Sequence, residues 1–416
     1  MKFKNIKIIN LSTVLTILLT ISTALLCTSC VKENKTVDKN INSQLDIQNN
    51  SVINKESENK INTAKLTFTG DIMVHSYQYN EAYNKNTNTY DFLHNFEDIK
   101  KYFDNSNYVI GNLETTFGGE VRDYPMFSTP DSFLDALKYA GFDLLTTANN
   151  HCLDSGSDGL IRTINKLNEY NINHTGTYKT EEESKNIFIE NINGINVAFL
   201  AYTYGTNGIP IKYQYMVNII DTTTEEKIKS DIQKARELSD LVIVLPHIGI
   251  EYQQQPNDYV KNYVNNMFEW GADIIVASHP HVLQPMEYKI IKDSNGTERK
   301  CFVMYSMGNF ISSQTTPPRN ASIILNIDIK KIGNNKATIE NVSFIPIWTQ
   351  FRNINNNDHF VVRSIYEILT LPIEEQKNML RQKDINRIND IHYETTKILL
   401  NKDIPIEEIK NEYLFE

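Results

Sequence analysis

The sequence predicts a mixed α/β fold closed by a helical C-terminal segment, on three observations. Short continuous apolar runs, Ile195–Tyr204, Asp240–His247 and Asp273–Ser278, suit strands covered on both faces. Amphipathic stretches near 224–239 and 257–271 stand between them and read as helices. Asp71, Glu114, Asn150, His151, His247, His279 and His281 each fall at or just beyond the end of an apolar run. In open α/β sheets those strand ends form the ligand crevice.

From the N-terminus, Lys2, Lys4 and Lys7 precede an apolar stretch from Leu11 to Leu26, followed by the small residues of "CTSC", 27–30. Basic, apolar, then small is the order of an export signal. The stretch is short for a spanning helix, which needs ~20 residues. Cys30 resembles the acylated cysteine of bacterial lipoproteins, although Cys27 stands where those signals carry Leu. A lipoprotein anchor, an uncleaved anchor and plain secretion all place the body of the chain on the extracytoplasmic side of the membrane. Residues 31–63 are mostly Asn, Lys, Glu, Ser and Asp with lone aliphatics, and read as a flexible tether. Residues 64–350 form the expected main domain and 351–416 a helical extension.

Within the main domain, Lys65–Thr69 and Tyr108–Gly111 read as strands. Asp131 should cap a helix carrying Phe133, Leu134, Leu137 and Ala140 on one face and ended by Gly141. Phe142–Thr147 is the next strand, and Leu160, Ile161, Ile164 and Leu167 form the stripe of the next helix. Asn295-Gly296 signals a hairpin. Ile323, Leu325, Ile327 and Ile329 alternate as in a half-exposed strand, and Gly333-Asn334-Asn335 turns into Ala337–Ile345. From about Val361 onward the pattern is helical. Cys152 and Cys301 read as unpaired thiols behaving as small apolar residues.

Composition bounds the partners. Of 416 residues 40% are hydrophobic and 22% charged, the balance of an ordinary globular chain, long enough for one large domain or two. A net charge of −10 argues against nucleic acid, whose phosphates are held by clustered Lys and Arg. An acidic ligand would need a local positive site, such as a bound metal ion.

The polar strand ends supply the donors for one. Imidazoles and carboxylates suit divalent Mn, Zn or Fe without thiolates. Glu114 could bridge two ions ~3.5–4 Å apart, and such a pair activates a water and clamps a phosphoryl or carbonyl oxygen. His151, beside a ligand but aimed elsewhere, could protonate a leaving group. Singly, Asp71 also reads as a helix cap and Glu114 as a solvated loop acid. His75, His94, His174, His359 and His392 read as surface or packing residues.

The segments "TFTGDIMVH", "GNLETTF", "TTANNHCLDSGSDGL", "PHIGIEY", "GADIIVASHPHVLQPMEYK" and "VMYSMGNFI" stand in the order seen in the bacterial capsule-synthesis family of CapA-type proteins. The resemblance covers roughly Lys65 to Ser312. It implies a metallophosphoesterase-like four-layer α-β-β-α sandwich of two packed mixed sheets. It implies a place in making or exporting poly-γ-glutamate, an acidic polymer, at the cell surface, with membrane synthase components as partners. Residue by residue, it implies metal ligation by Asp71, Glu114, Asn150, His247, His279 and His281, with His151 as the acid. It also draws Asn112, Asn149, Asp154, Glu251, Glu287 and Asn309 toward the site. Two positions depart from the wider phosphoesterase pattern. Met73 replaces a histidine, and the bridging acid is Glu114 instead of Asp. That leaves one metal position weaker or filled by another group such as Glu251. A metal-dependent hydrolase, a non-catalytic polymer-binding export scaffold and a surface phosphodiesterase or nucleotidase are the functions in play.

Overall fold

The computed structural model describes residues 60–293, 296–354 and 357–416, all within one unit, Glu58–Glu416. The export signal with Cys30, the tether up to residue 59 and Asn295 of the hairpin turn lie outside the described residues. In chain order, β1 (Ile61–Ile72) leads through helix α1 (Ser76–Ala82) to β2 (Tyr108–Leu113). Helix α2 (Phe133–Ala140), β3 (Leu144–Thr146), α3 (Gly156–Glu169) and β4 (Asn173–Thr175) follow. The chain then forms β5 (Phe188–Ile192), β6 (Ile195–Thr203), α4 (Glu225–Leu238), β7 (Leu241–His247), α5 (Asp258–Trp270) and β8 (Ile274–Val276). Strands β9 (Met286–Lys292), β10 (Glu298–Met304), β11 (Asn309–Ile311), β12 (Ala321–Ile332), β13 (Thr338–Ile354) and β14 (Asn357–Ser364) come next. Helices α6 (Ile365–Leu369), α7 (Ile373–Met379) and α8 (Gln382–Leu400) precede the last strand, β15 (Tyr413–Phe415).

Two mixed sheets result. The first runs β14-β13-β12-β1-β2-β3-β4, with β11 beside β1 and β15 beside β13. The second runs β9-β10-β8-β7-β6-β5. In the first, β1, β2, β3 and β4 form a parallel half and β12, β13 and β14 an antiparallel one; in the second, β6, β7, β8 and β10 form a parallel centre with antiparallel outer pairs. Leu66, Phe68, Ile110 and Leu325 of the first sheet meet Val197, Phe199, Ile243 and Phe302 of the second in one buried layer. The opposite face of the first sheet packs Val109, Leu145 and Phe310 on α2 through Phe133, Leu134 and Leu137. The opposite face of the second packs Val242, Val244 and Ile275 on α4 and α5 through Ile228, Ile232, Val264 and Phe268. This is the four-layer α-β-β-α sandwich. Full burial of each such side chain contributes roughly 1.5–3 kcal/mol. The parallel strands matter most for function, because they point several strand ends the same way.

Local chemistry sets the helix ends. Asn257 caps α5, its side chain accepting from the Val260 N–H at 2.9 Å. Gly141, at φ 104°, closes α2. Asp131 does not cap that helix. It takes a two-pronged contact from Arg162, both bonds at 2.7 Å, which ties the start of α2 to α3. A guanidinium fork outcompetes the single backbone bond of a cap.

Three further expectations change. β1 starts at Ile61, before the apolar run Lys65–Thr69, because β12 pairs with it as far as Ile332. β12 is not half-exposed: its polar face is covered too, where Asn326 bonds Thr67 at 2.7 Å and Glu412 at 2.8 Å. Residues 361–364 are strand, since Phe360, Val361 and Val362 are all buried and pair along β13. The helical character begins at Ile365. Cys152 and Cys301 are buried free thiols. Among the described residues no helix is long and apolar enough to cross a membrane.

Candidate metal centre at the strand ends

β1 places Asp71 between two asparagines. In the parallel register Asp71 stands level with Asn112 of β2 on one side and Asn309 of β11 on the other. Glycine is required just before it, since a Cβ on Gly70 would lie 1.9 Å from the Gly308 carbonyl oxygen. The Asn112 Nδ2 donates to Asp71 Oδ1 at 2.9 Å, and Asn149 and Thr146 donate to Asn112 Oδ1 at 3.2 and 3.0 Å. Glu114, one residue past β2, is wholly buried.

The second sheet supplies the imidazoles. His247 ends β7, with Nδ1 2.9 Å from Ser278 Oγ and Nε2 2.7 Å from Asn150 Oδ1. After β8, His279 and His281 flank Pro280 with φ of 103° and 58°. Both values are left-handed, a conformation costly for a residue with a Cβ and concentrated at functional sites. This strained turn aims both rings inward. His281 Nδ1 lies 2.9 Å from Asn309 Oδ1 and 3.1 Å from Asp71 Oδ2, and its Nε2 is 3.7 Å from Glu114 Oε1. His247 Nε2 is 3.5 Å from the same Glu114 oxygen.

Two donor triads share Glu114: Glu114, His279 and His281, and Asp71, Glu114 and His247, each with ligand atoms within 4.8 Å of one another. Both Glu114 oxygens and His279 Nδ1 are buried without a hydrogen bond. Orphaned buried acceptors of this kind are costly, and together they fit a divalent cation. The electrostatics agree. Burial pushes Glu114 up to about 8, so its charged form lacks sufficient compensation from protein groups alone. Burial pushes His247 down to about 3 and His279 well below its ordinary value, which keeps both neutral, as ligands must be. Burial also acts to raise Asp71, but His281, His247 and Asn112 outweigh it and the carboxyl lies below its usual range. His281 is raised to about 9: burial opposes its charge, and Glu114 and Asp71 overcome that.

His151 sits beside this group without joining either triad. Its Nδ1 is 2.7 Å from Asp154 Oδ2, an oxygen that also accepts the Phe127 N–H at 2.6 Å. Phe127 packs edge-on against the ring at a 4.7 Å centroid distance. Asn149 Oδ1 accepts the His151 N–H at 3.2 Å, and Gly156, at φ 67°, turns the chain into α3.

Of the residues singled out from the sequence, Asp71, Asn112, Glu114, Asn149, Asn150, His247, His279, His281 and Asn309 come together, with His151 and Asp154 alongside. Met73 is buried in the core. Glu251 is exposed on the rim, its charge felt by Glu114, His247 and His281, and it does not fill a position among the buried ligands. Glu287 stands apart. Met286 turns into the layer between the sheets, so its neighbour faces the outer side, toward Tyr305 and Lys289. Four further residues belong to the site: Ser278, Asn207, Tyr204 and Arg319. Asn207 Oδ1 accepts from Asn150 Nδ2 at 3.2 Å, and the Tyr204 ring lies 4.5 Å from that of His279. Both follow the apolar run that forms β6, the position shared by the other site residues, so the same rule would have found them.

The bacterial capsule synthesis protein PGA_cap family matches residues 65–314. The chain belongs to this family. Over 260 residues it is 31% identical to the capsule biosynthesis protein CapA of Bacillus anthracis, covering 60% of this chain and 60% of that protein. Over 280 residues it is 30% identical to the PGA biosynthesis protein CapA of Bacillus subtilis (strain 168), covering 66% of this chain and 70% of that protein. The chain thus spans only part of the relatives it matches. Among solved structures it is similar to the calcineurin-like phosphoesterase YfkN from Bacillus subtilis, at 15% identity and a TM-score of 0.37, over 80% of this chain and 100% of that one.

Proposed function

We propose that the strand-end cluster is a divalent-metal hydrolase centre. We propose further that this PGA_cap protein uses it on an acidic capsule polymer such as poly-γ-glutamate. The work would be done at the extracytoplasmic face of the membrane, with the N-terminus as anchor and Cys30 as its lipid attachment. The observation that carries the reading is Glu114, a fully buried carboxylate with both oxygens unpaired, shared by two donor triads. Glu114, His279 and His281 would hold one ion, and Asp71, Glu114 and His247, with Asn150 beside His247, a second. Such ions supply an activated water and polarise a carbonyl or phosphoryl oxygen.

The protein's own groups do the remainder. Asp154 Oδ2 accepts a hydrogen bond from the Nδ1–H of His151, which orients the ring and leaves Nε2 to pass a proton to the departing group. Ser278 on Nδ1 of His247 turns Nε2 toward Glu114. Arg319, its guanidinium 4.6 Å from the centroid of the Tyr252 ring, offers the local positive charge that an acidic substrate of a −10 chain needs.

An oriented imidazole–carboxylate pair favours catalysis over a polymer-binding scaffold, which has no use for one. The test is metal analysis of the full chain with turnover assays on poly-γ-glutamate and on phosphoesters, in wild type, Asp71→Ala and His247→Ala. Turnover that requires a divalent ion and disappears in both variants supports the hydrolase. Polymer binding without turnover under any divalent ion overturns it in favour of the scaffold.

A further inference from the structure

A second histidine–carboxylate cluster lies away from the strand ends. Glu81 stands on α1, His94 in the turn Leu93–Asn95, and His359 on the edge strand β14. One ligand atom from each lies within 4.8 Å of the others. His94 Nε2 is 3.0 Å from Glu81 Oε1, and His359 Nδ1 touches Glu81 Oε2. The two rings meet edge to face at 4.6 Å between centroids.

The Glu81 side chain is 9% exposed, and each of its oxygens faces one imidazole nitrogen, Oε1 that of His94 and Oε2 that of His359. Glu81 Oε1 takes only the Phe360 N–H, at 3.3 Å, besides His94. A nearly buried carboxylate faced on both oxygens by imidazole nitrogens gathers three donors of a coordination sphere. About a tetrahedral ion with bonds of ~2.0–2.1 Å, ligand atoms stand roughly 3.3–3.5 Å apart. The present separations reach that with small side-chain shifts.

We propose that Glu81, His94 and His359 form a separate binding site for a divalent transition ion of the zinc type. Two imidazoles and one carboxylate are a borderline-soft donor set without thiolate, suited to Zn²⁺ or Co²⁺ over Ca²⁺ or Mg²⁺. His94 and His359 are 19% and 18% exposed, which leaves the fourth position open to solvent and the ion free to exchange. The ion fastens the edge strand to the segment leading away from Asp71. That junction already carries the Asn95 Nδ2 bond to the Phe360 carbonyl at 2.6 Å and the Gln78 Nε2 bond to the Met73 carbonyl at 3.0 Å.

Zn²⁺ titration of the full chain by equilibrium dialysis, with Co²⁺ absorption as the spectroscopic readout, tests the site independently of the strand-end centre. The double variant Glu114→Gln, His247→Gln, which breaks both strand-end triads, should still bind one equivalent, with a Co²⁺ spectrum of a low-coordinate N/O site. Adding His94→Gln should weaken that equivalent by more than the roughly tenfold that loss of even an outer-shell partner costs. His359→Gln should do the same and should abolish any rise in Tm that Zn²⁺ gives. Near-ultraviolet circular dichroism checks that each variant is folded, and His94→Gln, confined to a surface turn, is the safeguard should His359→Gln unfold. Zn²⁺ affinity unchanged by His94→Gln, or no Zn²⁺ bound once the strand-end ligands are removed, overturns the proposal.

Discussion

The cleft has a wall and a rim, built on different principles. The wall, Asp71, Glu114, His247, His279 and His281, is buried, emerges from the parallel strands of both sheets and is locked by amide and hydroxyl partners. The rim, Tyr204, Tyr252, Glu251 and Arg319, comes from loops and is partly exposed. Burial leaves the Glu114 charge short of compensation from protein groups, and Glu114 stands in both triads, so its loss is felt by the whole centre. Water screens the rim, so each rim residue acts nearly alone. His151 stands between: buried like the wall, but free of the ligand triads.

The largest break therefore falls on the wall. Glu114→Ala removes the carboxylate common to both triads, and bound metal and turnover should disappear together. The loss should exceed the ~10²–10³-fold in kcat that removal of one electrostatic stabiliser costs. A variant that kept its metal by elemental analysis would sink the shared-ligand reading. His151→Gln should separate the two quantities. Metal content should be retained while kcat falls by about 10²–10⁴, the usual worth of a positioned proton donor. A fall in KM-weighted rate with no change in kcat would count against that role.

The same division explains what the sequence made legible. Asp71, Asn150, His247 and the His279–His281 pair could be read because each directly follows a short apolar run, and parallel strands bring such ends together. Arg319 could not, because its place depends on the turn after β11 folding back over Tyr252, a tertiary contact with no sequence periodicity. Glu81, His94 and His359 were hidden for a related reason. They sit on a short helix, a turn and an edge strand, and His359 lies just before a stretch whose pattern reads as helix. Glu287 misled in the other direction: it shares a motif with the site, but strand alternation turns it to the outer face. At the fold level, the alternating pattern of β12 suggested a half-exposed strand because nothing local shows that Glu412 returns to cover its polar face.

Protonation sharpens the contrast within the wall. In metal-free protein Glu114 titrates at about 8, against 4.5 for an ordinary glutamate, because burial disfavours its charge. Below pH 4.5 both folded and unfolded chains carry the proton. Between 4.5 and 8 the unfolded chain releases it while the folded chain holds it, so stability falls as pH rises and levels off above 8. The effect is on the order of a few kcal/mol. Glu114→Gln, which cannot ionise, should lack this slope. Urea unfolding in chelator at pH 5 and pH 8 should show wild type losing stability relative to the variant, and added Mn²⁺ should erase the loss. Parallel curves for the two proteins would show that the Glu114 charge is compensated without a cation.

The smallest effect belongs to the rim. Arg319 is held over Tyr252, whose ring lies 6.1 Å from that of His281, which sets its charge on the rim of the centre. A half-exposed cation is worth at most ~1 kcal/mol to an incoming anion, about fivefold in affinity. Arg319→Ala should therefore raise KM for an acidic polymer by about threefold to fivefold and leave metal content and kcat alone. Arg319→Lys should fall between, because it keeps the charge but loses the planar stack. Screening provides the decisive control, since the Debye length shrinks from ~10 Å at 0.1 M salt to ~3 Å at 1 M. The difference between wild type and Arg319→Ala should fade over that range. A KM change that persisted at high salt would mean that Arg319 acts by shaping the cleft through Tyr252 and not by its charge.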